Sequence, residues 1–166
     1  MEDNSSKNIV AGGIFMLTSM FFPTFWTAII GAGTEHIFYW MFGLFVNIRS
    51  GVITIQWLFN FKFNMYQLWY FIAIYSSFVV LIFSVVIIII GVKFKKEGKL
   101  KEKFLLLMNL SIIFVLFLNL ILMSYLFFPI YGFHLLLLGV IISSIGYKKS
   151  KKTKKIKYST FYTIGH

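Results

Sequence analysis

Few side chains in this sequence could carry out covalent or acid–base chemistry. The 166 residues hold five acids, three histidines and no cysteine, which removes thiol nucleophiles and thiolate metal sites. Glu2 and Asp3 stand at the amino end, Glu97 and Glu102 sit among lysines, and Glu35 alone lies elsewhere, beside His36. Glu35-His36 is therefore the one acid–histidine neighbour pair, the combination that general acid–base work would need. Adjacent residues of an extended segment point to opposite faces, so the pair is expected to lie in a solvated loop and not to share a proton. His134 falls near the outer end of an apolar run, where a ring nitrogen is expected to act as a hydrogen-bonded anchor. This set yields no triad and no metal cluster, and a non-enzymatic protein without cofactor or metal is expected.

The elements that must position these residues are set by the solvent the chain is built for. Hydrophobic residues make up 59%, aromatics 20% and charged residues 13% of the chain, and Phe alone accounts for 21 positions. A water-soluble domain of that composition would expose too much apolar surface, and a disordered chain would lack it. The segments 8–34, 63–92 and 104–147 carry no charge. A hydrocarbon core of about 30 Å needs about 20 apolar residues as helix, so these runs predict four spans near 9–28, 68–92, 104–127 and 130–147. Pro129 and Gly132 divide the last two. A fifth candidate, 37–61, carries Arg49 at its middle, which costs about 2.5–3.5 kcal/mol at a helix centre.

Lysine placement orients the bundle. Six Lys fall in the 93–103 loop and seven in 148–157, together thirteen of the sixteen basic residues. An even number of spans separates the two segments, so both are expected on the cytoplasmic side, with the amino and carboxyl termini there as well. No cleaved signal peptide is expected, because Glu2 and Asp3 precede the first apolar run. The tail carries Lys148, Lys149, Lys151, Lys152, Lys154 and Lys155 without any acid. It abuts a span and lacks aromatic interleaving, so anionic lipid headgroups are the expected partner of the tail, as of the 93–103 lysine loop, and nucleic acid is not. The expected organisation is one transmembrane domain over 1–147 and a basic cytoplasmic tail over 148–166.

Between the first two spans the pattern changes period. Ile53, Ile55, Trp57, Phe59, Phe61, Phe63 and Met65 alternate with Thr54, Gln56, Leu58, Asn60, Lys62, Asn64 and Tyr66, the signature of a half-buried strand. Leu44 to Ile48 is also β-prone, and Arg49-Ser50-Gly51 suits a three-residue hairpin loop with Gly51 in the left-handed position. An extracytoplasmic β-hairpin over 43–66, within an outer β segment of about 32–66, is the expectation. It places Arg49 at a turn tip in water. An amphipathic helix in the interface is the competing reading. In the third span, Asn109 and Asn119 lie ten residues apart, about 80° on a helical wheel, so they need not share one partner, and interhelical hydrogen bonding is expected of both. Gly12-Gly13 and Ser76-Ser77 permit close helix approach.

Certain residues resemble a known family. Pro23-Thr24-Phe25-Trp26 after the first helix, then Trp40 and Gly43-Leu44-Phe45 leading into the hairpin, and Tyr131-Gly132-Phe133 opening the last helix, are similar to the claudin and peripheral myelin protein superfamily. That family has an early Trp and a Gly-Leu-Trp-x-x-Cys signature in its first outer loop. Here Phe45 replaces the signature Trp, Ile48 stands at the first cysteine position, and an apolar residue near Trp57 stands at the second. The second outer connection, 128–131, is expected to be too short for the family's additional strand. The resemblance implies an all-α bundle of four transmembrane helices with an outer β-hairpin between helices 1 and 2. It also implies a structural or assembly role through self-association.

The expected function is thus lateral protein contact, as a claudin-like assembly protein or an accessory subunit of a membrane complex. Contact is expected through Trp26, Trp40, Gly43, Leu44, Phe45, Arg49, Gly51 and Trp57, with Asn109, Asn119 and His134 as polar groups of the bundle. The alternative is a small transporter, pore or holin-like permeabilising protein, which would need polar groups along a mid-membrane path.

Overall fold

A computed structural model describes residues 4–30, 34–40, 44–57, 66–98, 100–123 and 128–163. Its helices are α1 (Asn4–Ser19), α2 (Tyr66–Glu97), α3 (Glu102–Met123) and α4 (Tyr131–Thr163). Its strands are β1 (Phe25–Ile29), β2 (Glu35–Tyr39), β3 (Leu44–Arg49), β4 (Val52–Trp57) and β5 (Phe128–Pro129). Three stretches are long and apolar enough to cross a membrane: Tyr75–Glu97, Glu102–Ile121 and Tyr131–Ser150. The 16-residue α1 is not among them.

Several boundaries differ from the sequence expectation. The first helix ends at Ser19 instead of near Ala28, because Pro23 stops the chain from continuing as helix. After it Phe25–Ile29, rich in aromatic and β-branched residues, pairs as a strand. The α2 helix runs on to Glu97 with Lys95 and Lys96 in its last turn, where cations complement the helix dipole. It stops at Gly98, whose φ of 66° is left-handed and whose amide donates to the Phe94 carbonyl at 2.9 Å. No break falls at 147, since α4 continues as one helix into the lysine-rich segment.

The segment between α1 and α2, joined by β5, forms a five-stranded antiparallel sheet of order β4-β3-β2-β1-β5, so the simple hairpin is corrected to a larger sheet. Its β3–β4 hairpin turns on two residues instead of three, because Arg49 pairs with Val52. Ser50 (φ 49°) and Gly51 (φ 81°) both take the left-handed conformation that matches a two-residue turn to strand twist. Arg49 is therefore the last residue of β3 and not part of the loop. The expected strand beyond Trp57 falls on 58–65, outside the described residues. The connection between α3 and α4 does hold a strand, contrary to expectation, as Phe128 and Pro129 pair with Trp26 and Phe25.

The helices alternate in direction around α1. Along the α1–α4 seam, α1 buries Ser5, Ile9, Gly12, Met16 and Ser19, while α4 buries Gly132, Leu136, Gly139, Ser143, Gly146 and Ser150. Both sets step by four and three residues, the seven-residue period of antiparallel coiled-coil packing. The backbones nearly touch. A Cβ on Gly12 would stand 2.6 Å from the Gly139 carbonyl oxygen, and one on Gly146 would stand 2.7 Å from the Ser5 carbonyl oxygen. Gly13, rotated about 100° from Gly12, faces α2 instead, where a Cβ would stand 2.6 Å from Ile88 Cγ1. Ile87, Leu105, Ile112 and Leu136 are fully buried in the core between the helices.

Candidate functional site

The sheet is tied to the bundle through the segment after α1. Met20, Phe21 and Phe22 extend α1 by a tighter turn, their amides donating to the carbonyls three residues back. The Trp40 indole N–H donates to the Phe21 carbonyl at 3.3 Å, covering one of the acceptors that a helix end leaves open. The Thr24 amide donates to the Tyr39 carbonyl at 2.7 Å, and the Pro23 carbonyl accepts from the Gly132 amide at 2.9 Å. Any side chain at Gly132 would displace this link, since its Cβ would lie 2.6 Å from the Phe22 carbonyl oxygen.

The register gives the two faces of the sheet different characters. On the face turned to the bundle, Phe25 and Tyr39 are fully buried, and Phe25 packs on the Phe133 ring of α4 at 5.9 Å between centroids. Burial pushes the Tyr39 hydroxyl well above the usual tyrosine range. Farther out, this face becomes polar, with the Asn47 side-chain amide donating to the Glu35 carboxylate and Arg49 opposite Glu35 in register.

The other face is apolar across all five strands. Phe128, Trp26, Phe38, Val46 and Ile55 are successive register partners, and partners directly opposite share a face. Trp26 contacts Phe128 at 6.4 Å between ring centroids and stacks on His36 at 5.9 Å. A parallel row runs from Ala28 and His36 to Ile48 and Ile53. At its margins Ile53 and Ile55 are each 64% exposed and Phe128 is 67% exposed. Glu35 and His36 thus point to opposite faces, one bonded to Asn47 and the other stacked on Trp26. Among the described residues no three metal-ligating side chains cluster.

The structure brings Trp26 onto the apolar face and Trp40 to the sheet–bundle link. Leu44 begins β3 and its carbonyl accepts from the Trp40 amide at 2.9 Å. Phe45 and Trp57 take backbone positions in β3 and β4. Gly43 lies outside the described residues. Ile48 faces Ile53 in register, while Trp57 faces Leu44; the implied correspondence between Ile48 and the neighbourhood of Trp57 is corrected, because the two-residue turn sets a tighter pairing.

Within the bundle, Asn119 donates to Ser76 of α2 at 2.7 Å. Asn109 instead donates to Ser143 and Ser144 of α4, both at 3.3 Å, leaving its buried carbonyl oxygen without a partner. His134 is exposed and its ring Nδ1 lies 2.9 Å from the Ile130 carbonyl oxygen. Lys148 and Lys149 project from the exposed side of α4, whereas Lys151, Lys152, Lys154 and Lys155 follow along the same helix.

Sequence reasoning missed β1 and the apolar row, and although its outer β segment of about 32–66 covers β2, it read Glu35-His36 there as solvated loop. It also missed the seven-residue spacing of Gly132, Gly139 and Gly146, which is visible in the sequence. No protein-family model matches the chain, and a comparison with curated proteins finds no match.

Proposed function

We propose that this chain is a non-enzymatic tetraspan membrane protein that acts by lateral protein contact, as a claudin-like assembly protein or an accessory subunit. One observation carries the reading. The apolar row from Phe128 through Trp26, Phe38 and Val46 to Ile55 lies on the sheet face turned away from the bundle, with Ile53, Ile55 and Phe128 largely exposed. A contiguous apolar surface of this kind marks a contact site, and its aromatic content suits an interface core. The strand at 128–129 adds support for the claudin-like reading, since that family carries a strand in its second outer loop.

The fourth crossing is supplied by α1 with its added turn through Phe22. It runs beside α4 from Gly146, next to Ser5, to Gly132, next to Phe22, and so accompanies α4 over the apolar part of its length. Both lysine-rich segments begin at the end of the bundle where α1 starts, with Gly91 of α2 against Val10 and Gly146 of α4 against Ser5. That end is cytoplasmic by the positive-inside rule, and the sheet is extracytoplasmic.

Gentle detergent extraction of tagged protein, followed by mass determination and identification of co-purifying chains, tests the proposal. A defined self-assembly or a partner in fixed stoichiometry is expected, and Ile53→Lys with Ile55→Lys should release it while the chain stays folded. A lone chain in the wild-type extract, or an assembly indifferent to both lysines, overturns the reading.

A further inference from the structure

An open groove of about 640 Å³ lies between α1 and α2 at the lysine-bearing end of the bundle. Lys7, Lys95 and Lys96 line one end of it, and Val10, Ile14 and Val92 line the part farther along the helices. The helix periodicity produces this division. On α1, Lys7, Val10 and Ile14 follow at three- and four-residue steps on one face, and on α2, Val92 lies one turn before Lys96. The antiparallel packing of the two helices then brings the three cations to the same end. Gly91 shapes the apolar part, since a Cβ there would stand 2.6 Å from Val10 Cγ2.

The groove combines two chemistries in a fixed order along the helix axes. Its cationic end lies where α2 ends at Glu97, and its apolar part lies deeper along both helices, at Val92 on α2 and at Val10 and Ile14 on α1. The start of α1 adds the positive end of a helix dipole beside the cationic end. Among the described residues that line it there is no acid. A small soluble anion would use the lysines and leave Val10, Ile14 and Val92 uncovered. A phosphate carrying an acyl chain would satisfy both parts.

We propose that this groove binds one anionic phospholipid per chain, with its phosphate among Lys95, Lys96 and Lys7 and an acyl chain along Val10, Ile14 and Val92. This site is distinct from diffuse attraction of the lysine-rich tail to the membrane surface and stands independently of the contact role of the sheet.

The test uses the full chain in detergent, titrated with phosphatidylglycerol or phosphatidylcholine, with bound lipid counted by native mass spectrometry. One phosphatidylglycerol per chain is expected, held in preference to phosphatidylcholine. The double variant Lys95→Gln with Lys96→Gln should weaken it about thirtyfold, the factor for two cations near an anionic headgroup. A second double variant, Lys148→Gln with Lys149→Gln, removes the same charge outside the groove and should leave the site nearly unchanged. Equal losses in the two double variants would mean diffuse electrostatics and overturn the proposal, as would equal retention of phosphatidylcholine. Ala11→Phe, which fills the lined groove without changing charge, separates lipid from free phosphate. It should weaken phosphatidylglycerol binding, and full retention alongside competition by inorganic phosphate would reduce the site to a phosphate contact. Thermal unfolding of each variant, expected at the wild-type temperature for the lysine changes, establishes that binding is read on folded protein.

Discussion

Replacing Gly12 by Ala tests whether the α1–α4 seam holds the bundle together. A methyl there would stand 2.6 Å from both the Gly139 carbonyl oxygen and the Ser143 amide nitrogen, against the 3.4 Å at which ordinary contact begins. Both obstacles are backbone atoms, so the helices must part by about 0.8 Å at this level. A gap of about 0.5–1 Å forfeits about a quarter to a half of a contact's attraction, and overpacking of this kind costs about 1–3 kcal/mol. Against it stands the helix preference of Ala over Gly, about 1 kcal/mol. The seam loss is felt by Ser5 against Gly146 and Met16 against Gly139 as well, so we expect the upper end of that range and a net loss of about 2 kcal/mol. Gly139→Ala meets the Gly12 carbonyl oxygen at 2.7 Å and should cost a similar amount. One separation relieves both clashes, so the double variant should be less damaging than the sum, with a coupling of about 1–2 kcal/mol. Reversible unfolding in mixed micelles measures all three. Neutral or stabilising single variants, or strict additivity, would refute the close seam.

Two further outcomes follow from register and pairing. Ile48→Cys with Ile53→Cys should oxidise readily because these positions are direct partners, whereas Ile48→Cys with Trp57→Cys should keep both thiols. Trp57 lies four residues beyond Ile53, about 13 Å along a strand, outside the range of about 7 Å that a disulfide spans; a free-thiol count with the reverse pattern would reject the two-residue turn. In the bundle, Asn119→Leu should destabilise more than Asn109→Leu, by about 0.5–1 kcal/mol. Asn119 loses a 2.7 Å bond to Ser76, while Asn109 also sheds a buried oxygen that has no partner. Unfolding of the two variants in the same micelles checks the order.

How much of this was legible depended on whether a segment's period was interrupted by charge. The three long helices were readable from uncharged runs, and β3–β4 from the alternation at Ile53, Ile55 and Trp57. β1 was hidden because Phe25–Ile29 continues the uncharged run of α1, so charge counting merged a strand into a span. Pro23 was the available signal. β2 was hidden by Glu35-His36, which reads as a polar loop until Trp26 is known to stack on His36. The two-residue strand at Phe128–Pro129 has no local signature at all, since its pairing with Trp26 and Phe25 arises from the link between Thr24 and Ile130, whose amide donates to the Thr24 carbonyl at 2.9 Å. Contacts made across that distance in sequence cannot be read from periodicity.

Among the described helices α1 is the shortest, and it connects the lysine-lined groove to the sheet. One side of α1 forms a wall of the groove through Lys7, Val10 and Ile14, and the segment that follows it carries the sheet through Phe21, Pro23 and Thr24. Adjacent glycines direct it to both neighbours at once, Gly12 to α4 and Gly13 to α2. A side chain at either position moves α1 as a rigid rod, because a helix of 16 residues has few bonds that yield before its packing does. The sheet's buried anchor on α4, Phe25 against Phe133, would then be pulled against its own link to α1. Lipid binding at one end and protein contact at the other are therefore expected to fail together when the seam is opened, and separately when Lys95 or Ile55 is changed.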